Sequence, residues 1–442
     1  MTVESYFQDV AKIVDELCQG SEIHLSSFSA EDSDFVRFNQ GKIRQAGAVA
    51  MRSLSIDLIE GKRHASGSVS LSGDLATDRA RIAPLLDKLR SQREYLSEDP
   101  YLAYATEPRS TMRSAPSQLL DGAEAIDRTL AATRGRDFVG IYAAGGVYAG
   151  FANSFGQRNW YANHSFHLDW SFVHQVDKAV TGSYADVAWD GALFERKVAM
   201  ADEQLRLLSL PARTVPAGRY AVYLAPAALA DVLGLLGWGG FGLRAHRTRT
   251  TPLVRMIEDG ALLDPRVQLI ENTRDGLAPD FQEEGFLRPD VVRLIEAGRY
   301  RDCLASPRSA AEYGEATNGA SAGEMPQSLD LACGDVALDR VLERIGTGIY
   351  VGNVWYMNYS DKAACRTTGM TRFATFWVEN GKLAAPLDVM RFDETIYRML
   401  GENLVGLTAE REWIVDSGTY SQRSTSSTRL PGALVADFTL TL

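Results

Sequence analysis

Cysteine and histidine are scarce in this chain, with four and six among 442 residues, and neither is spaced for metal or disulfide chemistry. Cys18, Cys303, Cys333 and Cys365 lie far apart with no Cys-x-x-Cys pair, which argues against a zinc-ribbon or disulfide scaffold and suits free thiols in a reducing cytoplasm. Long apolar runs are missing too. No uninterrupted segment approaches about 18 residues, so no membrane span is expected. Basic charge is not in excess: the formal net charge is -11, and a phosphate backbone requires a basic face, so nucleic acid is not the expected partner. The glycine clusters at Gly145-Gly146 and from Gly237 to Gly242 lack the Walker and dinucleotide spacings, which removes support for nucleotide binding. The first residues carry acids where a signal peptide needs bases. Val10, Ile13, Val14 and Leu17 recur there at helical spacing, the mark of an amphipathic helix and not of a targeting address.

What is present is an ordinary globular composition over a length that predicts two domains. Alternation of apolar residues predicts strands over 22–29, 35–39, 42–48, 51–60 and 64–71, and helical spacing predicts helices over 75–95 and 117–133. A glycine-rich strand pair over 138–151, a strand over 158–176, its partner over 184–189 and a helix over 191–208 complete the first half. The proline-bounded turn at Pro211 marks the boundary. Residues 1–210 then form an N-terminal α/β domain with a mixed sheet and flanking helices, and 211–442 a mainly-β domain rich in hairpins, an α+β protein overall. The second half has helices near 227–236 and 338–344. Its loop over 313–328, rich in Gly, Ser and Ala, reads as a mobile surface segment.

Several residues invite a chemical reading. His164, His167 and His174 fall close together, but strand alternation points His167 away from the other two, and His164 and His174 are roughly 30 Å apart on an ideal strand. They are read as core-edge and surface residues. His246, within RAHRTRT, is read as a solvated loop histidine facing like charges. Asp280, Glu283 and Glu284 form a carboxylate cluster at a glycine turn, structural in the first instance and a general base in the second. Cys365 stands beside Arg366, the minimum for an activated thiol, although a buried free thiol is the simpler reading.

The most telling stretch is TGMTRFATFWVENGKLAAP, Thr368 to Pro386. Phe373, Thr375, Trp377 and Glu379 alternate with their neighbours as in a strand, and Asn380-Gly381 supplies the two positive-φ residues of a tight hairpin. Phe373, Thr375 and Trp377 are the candidate peptide or partner surface. Three further blocks accompany it: PARTVPAGRYAVYLAP from Pro211, FQEEGFLRPDVVRLIEAG from Phe281 and IGTGIYV from Ile345. Upstream stand FVRFNQGKIRQAG from Phe35, SEDPY from Ser97 and ANSFGQ from Ala152. In order and spacing these blocks resemble the PmbA/TldD family, once called modulators of DNA gyrase and now grouped as metallopeptidases.

The resemblance implies a particular chemistry. Catalytic members carry His-Glu-x-x-x-His on the helix after the first strand of the C-terminal half, and a downstream Cys completes a zinc site in which the Glu takes a proton from the bound water. Counted from Pro226, those positions are Gly234, Leu235 and Gly239, and the tail from Arg391 contains no cysteine. The chain thus resembles the TldE (PmbA) branch. This implies a chain without a metal of its own and inactive alone, with zinc expected on a TldD-like partner subunit and an extended peptide as substrate. Two other readings stay open: a metal-free hydrolase using Cys365, or Glu283 with Glu284, and a homodimeric peptide-binding or scaffolding protein.

Overall fold

In a computed structural model, residues 1–175 and 178–441 are described. Helix α1 (Val3–Leu17) opens the chain, capped by Thr2, whose hydroxyl accepts from the Ser5 amide at 3.1 Å. Strands β1 (Ile23–Asn39), β2 (Lys42–Glu60) and β3 (Arg63–Ser70) follow, then α2 (Leu75–Arg93), β4 (Met112–Ser114), α3 (Gly122–Ala132), β5 (Phe138–Asn153), β6 (Arg158–Gln175) and β7 (Lys178–Asp186). The end of the strand expected over 158–176, Val176, lies outside the described residues. These strands form one mixed sheet in the order β3-β2-β1-β5-β6-β4, with β7 also on β6. Sequence patterning splits β1 into two strands at the polar run Ala30 to Asp34, and β2 likewise. The structure joins each pair. β1 is laddered on one side to β2 and on the other to β5, so paired backbone groups on both edges override an unfavourable local composition.

Helix α4 (Gly191–Leu208), capped by Asp190 accepting from the Leu193 amide, leads into the second half. There β8 (Gly218–Leu224) feeds α5 (Pro226–Gly237), followed by the short α6 (Leu243–Arg247). The strands β9 (Leu269–Asn272), β10 (Val291–Glu296), β11 (Arg299–Tyr300), β12 (Ser328–Leu331), β13 (Gly348–Asp361), β14 (Arg366–Glu379), β15 (Lys382–Pro386), β16 (Arg391–Thr395), β17 (Leu404–Val415) and β18 (Ser427–Leu440) make the second sheet. Because β8 pairs with β13 on one side and β18 on the other, the path β18-β16-β14-β13-β8 closes on itself. Pro226 occupies the first turn of α5, where its missing N–H has no partner to lose. Leu229, Val232, Leu233 and Leu236 of this helix are all 0–1% exposed, each contributing roughly 2 kcal/mol of apolar burial.

The two sheets share a core. Ala374 and Phe376 of β14 pack with Phe166, Tyr184 and Phe194 of the first half. The Asn380-Gly381 turn forms as the sequence predicts, with φ of 52° and 74°. The alternation before it does not hold throughout: Phe373 sits at φ 56°, and the irregular pairing of β13 with β14 falls nearby.

Candidate functional site

A cleft of about 590 Å³ opens between the two halves, within the range of ligand sites. The first half contributes Asp169 and Trp170 of β6, residues of β7 and one face of α4; the second contributes α5, the middle of β13 and the end of β17. Helical periodicity explains which side chains enter. On α4, Lys197, Met200, Ala201 and Gln204 line the cleft at spacings of three and four, and on α5 so do Ala227, Ala230 and Asp231. The opposite stripe of α5 is the apolar one already described. Lys197 reaches across to Glu412 of β17, donating to its carboxylate at 2.6 Å, and ties the two halves at the cleft wall.

Asp231 is accessible to water, yet the surrounding walls strip it of enough solvent to push its carboxyl up to about 6. Asp169 lines the wall beside Ser417. Burial raises its carboxyl, and its Oδ2 is sealed without a hydrogen-bond partner. Neither acid is among the charges that perturb the other, so they act as separate posts and not as a coupled dyad. Sequence reading missed this site. One signal was there: Asp231 is the single charged residue in PAALADVLGLLG.

The family positions for a metal do not fit one here. Gly234 is exposed on α5, with open space where a Cβ would stand. Leu235 offers only its carbonyl, which accepts from the Tyr359 hydroxyl at 2.9 Å. Gly239 lies past the end of the helix at φ 75°. Among the described residues no group of three His, Cys, Asp or Glu is placed to hold a metal ion.

The other candidates are scattered. Cys365 is fully buried and burial alone pushes its thiol up to about 12, the opposite of an activated nucleophile. Glu283 is exposed, whereas Glu284 is half-buried with its carboxyl raised by burial and then by Glu283. Their turn docks on the first half, where the Glu284 carbonyl accepts from the Ala105 amide at 2.8 Å and the Gly285 carbonyl from Gln157 at 2.8 Å. None of the three lines the cleft. Of the proposed peptide surface, Phe373 is 39% exposed while Thr375 and Trp377 are 2% and 8% exposed. The positive φ at Phe373 breaks the face that strict alternation would have made continuous, and Thr375 and Trp377 turn into the protein.

Two histidine expectations are corrected. His246 is not a solvated loop residue: on α6 its Nε2 lies 2.8 Å from the Gly240 carbonyl and its Nδ1 3.1 Å from the Tyr300 hydroxyl. His167 is not at the surface. The segment joining β17 to β18 crosses its face of the sheet, leaving it 2% exposed with a pKa lowered to about 4 by burial and then by Arg423. The loop over 313–328 is also pinned: Glu324, 4% exposed, accepts from the Ser306 amide at 2.9 Å and the Arg244 amide at 2.9 Å.

One arrangement imitates a hydrolase. His24 Nδ1 is 2.9 Å from Ser26 Oγ and Nε2 is 2.8 Å from Asp15 Oδ1, the residue types of a Ser-His-Asp triad with the two ring nitrogens exchanged. Ser26 and His24 are both 0% exposed. No substrate carbonyl reaches that hydroxyl, and the group serves to hold α1 on the sheet.

Comparison with known proteins agrees with this architecture. Residues 217–442, more than half of the chain, match the family model of the PmbA/TldA metallopeptidase C-terminal domain. The chain belongs to the PmbA/TldD family. Among solved structures it is similar over its whole length to a candidate modulator of a DNA gyrase from Thermotoga maritima, at 15% identity and a TM-score of 0.77 with both chains covered at 100%. TldE from Thermococcus kodakarensis matches at 14% identity and a TM-score of 0.77, covering 99% of this chain and 100% of that one. A candidate gyrase modulator from Bacteroides thetaiotaomicron matches at 15% identity and 0.73, covering 99% and 98%. At such identities the likeness is one of fold. No curated protein matches the chain. Among the described residues no helix is long and apolar enough to cross a membrane.

Proposed function

We propose that this PmbA/TldD-family chain is a TldE-like, non-catalytic subunit that positions extended peptides for a zinc-bearing TldD-like partner in the cytoplasm. One observation carries the reading. The family's catalytic helix, α5, turns its Ala227–Asp231 face to a peptide-sized cleft, yet Gly234, Leu235 and Gly239 supply neither a ligand nor a base. Zinc hydrolysis needs a metal-activated water and a proton acceptor, whereas positioning needs only a shaped surface and can change a rate greatly. The buried thiol of Cys365 and the sealed Ser26 weaken the rival of a metal-free hydrolase.

The test is a digest of unstructured peptides followed by mass spectrometry, with this chain alone, a zinc-bearing relative from the same organism alone, and both together. Cleavage should be chelator-sensitive and strongest in the mixture. Cleavage by this chain alone that survives a chelator, or one tightly held zinc per purified chain, overturns the proposal. A mixture no better than the relative alone favours a self-associating peptide binder instead.

A further inference from the structure

We infer that the cleft between the sheets receives an organic cation carried by the peptide, with Asp231 as its direct contact. This rests on the peptide-handling reading above and adds what kind of peptide is held.

Charge is the first argument. Among the described residues lining the cleft, Asp169, Glu203, Asp231, Asp339 and Glu412 face a single base, Lys197. Glu412 already holds that base at 2.6 Å, which leaves the remaining acids without a cation from this chain. Asp231 makes no hydrogen bond or ion pair among the described residues, and its carboxyl behaves as that of an acid lacking a counterion. A partly desolvated carboxylate in that state is stabilised by any cation that enters. An anionic ligand, by contrast, meets repulsion from every free charge in the wall.

The walls decide which cation. Tyr350 is half-buried in the cleft wall, and an aromatic face favours ammonium and guanidinium groups; Trp170 and Tyr223 line the same cleft but offer little surface, at 3% and 1% exposed. A metal ion is a poor match, because no three acids or other ligands converge on one point among the described residues and the volume far exceeds an ion's. A peptide offers the required chemistry in two places, its terminal ammonium and the side chains of lysine and arginine.

Isothermal titration of the full chain separates these sources with three probes: tetra-alanine amide with a free N-terminus, its N-acetylated form, and N-acetyl-Ala-Lys-Ala amide. At least one cationic probe should bind about tenfold or more tightly than the neutral one, a difference of about 1.4 kcal/mol. Asp231→Asn should erase that preference and leave the neutral probe unchanged. Asp127→Asn, on the exposed side of α3, controls for the acidic surface at large and should preserve it. Circular dichroism and thermal melting check folding, and Asp231→Ala replaces the Asn variant if that one is unstable. Equal binding of neutral and cationic probes, a preference that survives at Asp231→Asn, or no binding of any probe at millimolar concentration overturns the inference. A chain that stimulates its zinc-bearing relative but shows no cation preference overturns this inference alone. One with the preference but no stimulation overturns the subunit proposal alone.

Discussion

Arg423 donates to the Ser165 carbonyl at 2.8 Å, although Arg423 belongs to the link between the last two strands and Ser165 to the middle of the first sheet. The guanidinium also reaches Ser33 Oγ at 3.2 Å and the Gly145 carbonyl at 3.3 Å, while the Arg423 backbone amide donates to the buried Glu31 carboxylate at 2.9 Å. With Arg423 5% exposed and Glu31 1% exposed, these buried hydrogen bonds from one residue's guanidinium and backbone amide pin the C-terminal half across the N-terminal sheet.

Removing one member should therefore be costly. Arg423→Met is expected to destabilise the protein by about 3 kcal/mol, because it strips the Ser165 and Gly145 carbonyls of a charged donor and removes the positive charge near the buried Glu31 carboxylate. Glu31→Gln combined with Arg423→Met should recover part of the loss. Urea unfolding measures both, and a change below about 0.5 kcal/mol in the single variant, the size of an ordinary surface effect, counts against the pinning role.

Two histidines should shape the pH dependence in opposite directions. His64 has its pKa raised above 6.5, first by its hydrogen bond to Asp57, 2.9 Å away. Its folded-state pKa exceeds the unfolded one, so its contribution is fully present below pH 6.5 and is lost as pH rises through the raised value. His167 titrates near 4 instead of 6.5. The unfolded chain then binds the proton first, and stability falls as pH drops from 6.5 to 4, by on the order of 3 kcal/mol. Thermal melting across pH 4 to 8 (about 0.5 unit apart) on His64→Gln and His167→Gln checks each arm. An unchanged acid limb in His167→Gln would show that burial does not control that residue.

Thiol labelling tests the exclusion of Cys365 as a nucleophile. Cys333 is exposed and Cys365 fully buried, so iodoacetamide should modify Cys333 readily in the folded protein and Cys365 only after denaturant is added. Mass spectrometry of tryptic peptides reports both. Native labelling of Cys365 as fast as Cys333 would return it to the list of active thiols.

Local pattern determined much of this protein. The Asn380-Gly381 turn, the helix at 191–208 and the proline that opens α5 are all legible residue by residue, because turn chemistry and helical spacing are short-range properties. The cleft is a different matter. Lys197 and Glu412 are 215 residues apart, and no periodicity links Asp169 on a strand to Asp231 on a helix of the other half. Tertiary packing likewise decided that His167 is covered, since the segment covering it arrives from the far end of the chain. It also decided that Thr375 and Trp377 point inward, because an alternation shows that two faces exist but not which of them the rest of the protein will occupy.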